Sequence, residues 1–254
     1  MEPKRRKFQG ALNILSFNRH YYVFGLSAVL ILFVSRIFFD WADITFWLVV
    51  AAFLYGLIMP LIVSAYVYDF SGYYDFKWLR EIVDRGQLPK LLVNVNAGFD
   101  ETSFIIKNRF PLAELKVFDF YDPARHTEPA IVRARKVSLT YPGTTQISTN
   151  LIPLADCSAD IVFLLSAAHE IRSNDEKAMF LKECQRVCKP GGRVIMVEHL
   201  RDFPNFLAFS VGFTHFFSRT TWKKAFQLAG FRSFEEIKFT PFMSVFSCTR
   251  HSVL

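Results

Sequence analysis

The segment from Glu183 to Glu198, ECQRVCKPGGRVIMVE, limits the possible folds more than any other part of the chain. Glu183 to Lys189 carry the last turns of a helix, Pro190 cannot continue it, and Gly191 and Gly192 permit a sharp reversal. Val194 to Val197 then form an apolar strand with no polar alternation, as expected of a strand covered on both faces. A helix returned through a glycine turn to a doubly covered strand is a unit of an α/β fold.

The same alternation recurs upstream. Strands are expected at 91–95, 117–120, 145–149, 160–165 and 194–197, and helices up to about 108, at 127–136, at 174–188 and at 222–228. Strands near 236–239 and 244–249 follow one another with no helix between them, which predicts a closing hairpin. Alternating strands and helices imply a mostly parallel sheet with helices on both faces.

The front of the chain is different. Residues 21–39 carry Arg36 as their only charge and residues 44–68 carry none, and each run is long enough to cross a hydrocarbon core as helix. Asp40, Trp41, Ala42 and Asp43 make a tight acidic connection. Lys4, Arg5, Arg6 and Lys7 precede the first run, and Lys77 and Arg80 follow the second. The positive-inside rule therefore expects a retained transmembrane hairpin with both termini cytoplasmic. Pro60 falls within the second run, where a lipid-embedded helix tolerates it. The expected organisation is a basic N-terminus at 1–20, the hairpin at 21–69, a connecting helix at 70–87 and an α/β domain at 88–254.

A net charge of +7 suggests an anionic partner, yet no basic stripe or recognition motif concentrates it, so anionic lipid headgroups suit it better than nucleic acid. Cys184 and Cys188 share a helix face without a histidine at ligand spacing and read as ordinary helix residues, so no metal site is expected.

The run that opened this reading resembles the segment after the last parallel strand crossover of class I S-adenosylmethionine (SAM) dependent methyltransferases. Their usual form is an acidic residue, then Arg-Val-Leu-Lys-Pro-Gly-Gly and a hydrophobic strand. Here it stands as Glu183, then Arg186 to Gly192, with Cys188 in place of Leu. The resemblance covers roughly residues 88–250 and is nearest in look to quinone- and lipid-modifying members. It implies a Rossmann-like methyltransferase sheet and SAM as cofactor.

The resemblance also assigns sites. LVNVNAGFD stands where the family shows an acidic residue before a Gly-x-Gly-x-Gly loop, so that Asn94 replaces the acid, Asn96 the first glycine and Asp100 the third, while Gly98 is kept. Asn tolerates the dihedrals that glycine supplies, and Asn94 can still bond an ammonium group. At the end of the second strand, Asp119 and Asp122 compete for the ribose hydroxyls, and Ser148 and Thr149 stand where the family often places a carboxylate near the adenine amine. Asp160 reads as a residue that orders a turn. Tyr74, with Tyr73, is placed to close over the methionyl end.

His169 and His199, at the ends of neighbouring strands, are candidate general bases. Glu170 and Arg172 are placed to form a local salt bridge. Phe203, Phe206, Phe209, Phe213, Phe216 and Phe217 form an aromatic face where the family inserts a substrate cover. The expected function is a membrane-anchored SAM-dependent methyltransferase acting on an apolar, aromatic or lipid-linked small molecule at the cytoplasmic face. The alternative is a methyltransferase-fold membrane protein that has lost SAM and serves as a scaffold, a reading favoured by the altered glycine loop.

Overall fold

A computed structural model describes residues 5–82, 88–126 and 128–250. Lys4, the stretch 83–87 of the expected connecting helix, Thr127 at the expected helix start and residues 251–254 lie outside the described residues. Seven strands form one sheet: β1 (Leu91–Asn96), β2 (Glu114–Asp119), β3 (Thr145–Gln146), β4 (Ala159–Leu165), β5 (Cys188–His199), β6 (Ser233–Lys238) and β7 (Met243–Thr249). Their order is β3-β2-β1-β4-β5-β7-β6. Strands β1 to β5 pair in parallel, and β7 runs antiparallel between β5 and β6. The order reverses between β1 and β4, so the crevice for a ligand opens at the carboxyl ends of those two strands.

Side-chain alternation splits the core into two layers. Val162, Leu164, Val194 and Met196 face α5 (Pro129–Arg135), α6 (Asn174–Val187) and α8 (Arg219–Leu228), whose Ile131, Phe180, Leu181, Trp222 and Phe226 complete one layer. Ile161, Phe163, Ile195 and Val197 face the other way, beside Ile106 of α4 (Ser103–Arg109) and buried Phe76, Trp78 and Leu79. Ser173 and Ser218 cap α6 and α8 by accepting the amide protons of Glu176 and Thr221, which fixes where both helices begin.

Two expectations are corrected. The third strand spans Thr145 and Gln146 alone, because Ser148 bonds locally to Asn150 and the chain turns through a Ser148–Leu151 bridge. The Lys-Pro-Gly-Gly stretch is a bulge inside β5 rather than a reversal before it. Cys188 pairs with Ala159 and Arg193 with Ile161, so β5 bulges out between them, with Gly191 at φ +76°. Asp160 anchors this end of the sheet, accepting the amide protons of Lys90 and Leu91 at 2.8 Å each and pairing with Lys189 at 2.7 Å.

Ahead of the sheet lie α1 (Gln9–Phe17), α2 (Arg19–Phe38) and α3 (Asp43–Ser64), the last continued by a wider π-type turn over Ala65–Phe70. Arg19–Phe38 and Asp43–Phe70 are each long and apolar enough to cross a membrane, and the central stretch of the first is not buried at all. The end of α3 is covered: Val63 and Val67 belong to the same buried layer as Leu92, Phe163 and Val197. The second apolar helix is thus built into one face of the sheet.

Candidate active site

At the carboxyl end of β1 the chain turns through Ala97, Gly98, Phe99 and Asp100. Gly98 sits at φ +81°, a conformation costly for any residue with a β-carbon, and donates its amide proton to Asn96 Oδ1 at 2.7 Å. Asn94, 1 % exposed, donates through Nδ2 to Thr102 at 3.1 Å and Ser103 at 2.8 Å. Asp100 Oδ1 accepts the amide protons of Thr102 and Ser103, both at 2.9 Å, at the entrance to α4. Three buried polar atoms around this loop have no partner: Asn94 Oδ1, Asn96 Nδ2 and Asp100 Oδ2. Buried groups of this kind ordinarily find partners, so two acceptors and one donor stand ready for a polar ligand.

Asp119 ends β2 beside this loop. Its Oδ1 accepts the amide proton of Tyr121 at 2.8 Å, and its Oδ2 pairs with Arg135 Nη1 at 2.8 Å. The Arg135 guanidinium also lies 3.9 Å over the Tyr121 ring and donates to the Ala97 carbonyl at 3.3 Å. It fills the hollow above Gly98 so fully that a β-carbon on that residue would stand 1.3 Å from Nη1. Sequence reading did not find Arg135, because nothing in its local pattern separates it from the other basic residues closing α5.

Of the remaining expected cofactor contacts, Asp122 lies outside this cluster. It accepts the amide proton of Ala124 at 2.9 Å and pairs loosely with Arg125 at 3.6 Å. Ser148 is bonded to Asn150 within the turn, and Thr149 donates to Glu176 of α6 at 2.6 Å, so both hydroxyls are engaged. Tyr74 donates to Glu101 and carries Arg5 3.6 Å over its ring. Tyr73 meets Ser166 at 3.3 Å, and Ser166 itself ends β4 with φ +51°. Strain of this kind at a strand end is typical of functional sites.

The two imidazoles lie at the ends of β4 and β5 in opposite environments. His199 Nδ1 stands 2.9 Å from the Phe242 carbonyl and 3.1 Å from Asn205 Oδ1, and its Nε2 stands 3.0 Å from the Tyr68 hydroxyl. Its ring stacks on Phe216 with centroids 4.9 Å apart. Burial pushes its pKa down to about 4 against those bonds, so it is neutral at pH 7 and takes the Tyr68 proton at Nε2. His169 Nδ1 lies 2.8 Å from Glu198, and its Nε2 lies 3.4 Å from Glu170. Burial opposes its charge, but the two carboxylates raise its pKa to about 10. The expected Glu170–Arg172 bridge does not form: Arg172 instead donates to the carbonyls of His169 and His215, at 3.2 and 2.7 Å.

A parallel five-strand sheet reversing between β1 and β4, followed by an antiparallel β7 inserted beside β5, is the class I SAM-dependent methyltransferase fold. Solved structures agree: a SAM-dependent methyltransferase from Aquifex aeolicus superposes with TM-score 0.51 at 17% identity, over 72% of this chain and 94% of that one. Human N-acetylserotonin methyltransferase in complex with SAM gives TM-score 0.50 at 16% identity, over 78% of this chain and 56% of that one. Residues 121–196 match the family described as "Methyltransferase domain". The search of curated proteins gives no match. The family match covers residues 121–196 of the chain, on a sheet with the class I methyltransferase fold, and the human enzyme of that fold is solved with SAM.

The loop fits that cofactor. Asn94 Oδ1 and Asp100 Oδ2 are suited to an ammonium group, Asn96 Nδ2 to a carboxylate, and Asp119 to ribose hydroxyls once Arg135 turns away. SAM, when bound, supplies a methyl group already activated by its sulfonium, so the protein mainly orients and excludes water. Arg135 holds Asp119 Oδ2 and the Ala97 carbonyl, and a nucleoside bound at Asp119 would have to displace it at the cost of that pair. Arg135→Ala is therefore expected to tighten SAM binding about fivefold, worth about 1 kcal/mol for a partly exposed ion pair. Calorimetric titration of both forms checks this, and equal or weaker binding by the variant contradicts the competition.

Proposed function

We propose that the protein is a membrane-anchored SAM-dependent methyltransferase whose acceptor is an apolar, aromatic or lipid-linked small molecule taken from the cytoplasmic face of the membrane. The observation that carries this reading is the path of α7 (Phe203–Phe209). It runs beside α3, where the Tyr55 hydroxyl donates to the Leu207 carbonyl at 2.8 Å. Phe203, Phe206, Leu207 and Val211 are all exposed along it. An apolar surface shared by a spanning helix and a substrate cover suits an acceptor that never leaves the lipid.

The edge below supports the same reading. Phe209 and Phe216 wall the His199 ring, with centroids 5.2 and 4.9 Å away. A cleft of about 470 Å³ opens beside Tyr68, Tyr73 and Tyr74 with Arg5, Arg6 and Lys7 on its rim, a basic mouth suited to a polar head at an anionic membrane surface. In this reading Asn94, Asn96, Gly98, Asp100 and Asp119 hold the cofactor, with Tyr74 closing the end nearest α4. His199 acts at the acceptor by orienting the Tyr68 hydroxyl, while His169, held charged by Glu198 and Glu170, is not the expected general base and serves the acceptor through its charge.

The test is SAM titration of the detergent-solubilised full chain, followed by mass spectrometry of membrane lipids from cells with and without it. Saturable binding and a lipid species heavier by about 14 mass units, the CH₂ a methyl transfer adds, are expected. No binding at millimolar SAM would leave a tethered scaffold. His169→Ala and His199→Ala are each expected to slow turnover at least about tenfold while shifting SAM affinity less than about twofold. Equal losses in both would move these residues from chemistry to structure.

A further inference from the structure

We propose that His169, Glu170 and His215 form a binding site for one divalent transition-metal ion, at the edge where β4 ends and the aromatic cover folds back. One donor atom from each of the three lies within 4.8 Å of the others. Glu170 is 7 % exposed, in the short turn Ala168–Glu170 after β4, and His215 closes the turn Ser210–His215 of the cover. The donors of a tetrahedral site with bonds near 2.1 Å lie roughly 3.4 Å apart, the distance at which His169 Nε2 and Glu170 already stand, so His215 needs to approach by at most about 1.4 Å.

The surroundings have the form that metal-ligating histidines require. His169 Nδ1 is held by Glu198 at 2.8 Å and His215 Nδ1 by Glu128 at 2.7 Å. A carboxylate on Nδ1 fixes the ring, raises its basicity and leaves Nε2 for an ion. Glu198 is 1 % exposed and spends its second oxygen on the His169 amide at 3.2 Å, so this support is built in rather than borrowed from the surface. Arg172, bonded to the carbonyls of both histidines, keeps the two turns in register.

Charge points the same way. Glu128, Glu170 and Glu198 bring three carboxylates together, with Arg172 3.9 Å from Glu128 as the neighbouring guanidinium. Two imidazoles and a carboxylate suit zinc, iron(II) or manganese(II) and leave coordination positions open for an oxygen-bearing ligand. Such an ion would bolt the cover to the sheet edge and accept a hydroxyl or carbonyl oxygen of the acceptor. The site was not legible in the sequence because His215 lies far along the chain from His169.

The experiment uses the solubilised full chain, stripped with a chelator and titrated with zinc(II) against a chromophoric competitor, with SAM titration of the same samples as the control for fold. One zinc per chain with a Kd below about 1 μM is expected, weakened at least about tenfold by His215→Ala and by Glu170→Gln. Cys157→Ser, which removes the exposed thiol, should change nothing. Cobalt(II) in place of zinc should give visible absorption bands that disappear in His169→Ala. Zinc binding that is absent, or that survives both substitutions, overturns the site and leaves a His–carboxylate network. Because SAM titration is read separately, that failure is distinct from failure of the methyltransferase reading.

Discussion

Gly98→Val is expected to weaken SAM binding at least about 100-fold, a loss of about 3 kcal/mol. The backbone at this position has φ +81°, and an added β-carbon would enter the volume that the Arg135 guanidinium now occupies, 1.3 Å from Nη1. Arg135 can swing out for a ligand, whereas a valine side chain cannot. A β-branched residue at positive φ also costs about 1–2 kcal/mol of stability, a small part of the stability of a domain of this size. Calorimetry reads the affinity and thermal unfolding reads the fold. Unchanged affinity in a folded variant would show that the hollow above Gly98 does not receive the cofactor.

The second large effect concerns pH. His199 is 6 % exposed and its pKa falls from the ordinary 6.5 to about 4 on folding. Between those values the unfolded chain carries a proton on this ring that the folded chain does not, so stability rises with pH across the window. The contribution is fully present above about pH 6.5 and is lost as pH falls toward 4, about 3 kcal/mol in all. Denaturant midpoints of the solubilised protein from pH 4 to 7 should follow this slope. In His199→Gln the corresponding limb should flatten, and an unaltered acid limb would assign it to other groups. The acid form of the ring would also lose its ability to accept the Tyr68 proton, so turnover should fall over the same range.

Much of the architecture could be read from local pattern because it follows from local physics. The uninterrupted apolar runs at 161–165 and 194–197 can satisfy their burial only inside a doubly covered sheet. The two apolar runs, the first with Arg36 as its one charge, likewise fix two long apolar helices. That Asn94, Asn96, Gly98, Asp100 and Asp119 lie together could be read from the chain because strand ends and their turns converge in any sheet that reverses its order at β1 and β4.

What the chain alone left open depends on residues distant in sequence. Arg135 reaches the Gly98 hollow only because α5 packs on the sheet beside β2, and His215 meets His169 only because the aromatic cover folds back over β4. Asp119 and Asp122 differ by three positions, and only the register of β2 puts Asp119 at the loop and Asp122 in a solvent turn. Two similar histidines end neighbouring strands, yet Glu198 and Glu170 charge one while burial beside Phe216 and Phe209 keeps the other neutral. Periodicity and turn chemistry act over a few residues and so determine the elements. Burial and charge pairing act through space, so the tertiary structure alone decides which side chains meet and in which ionisation state.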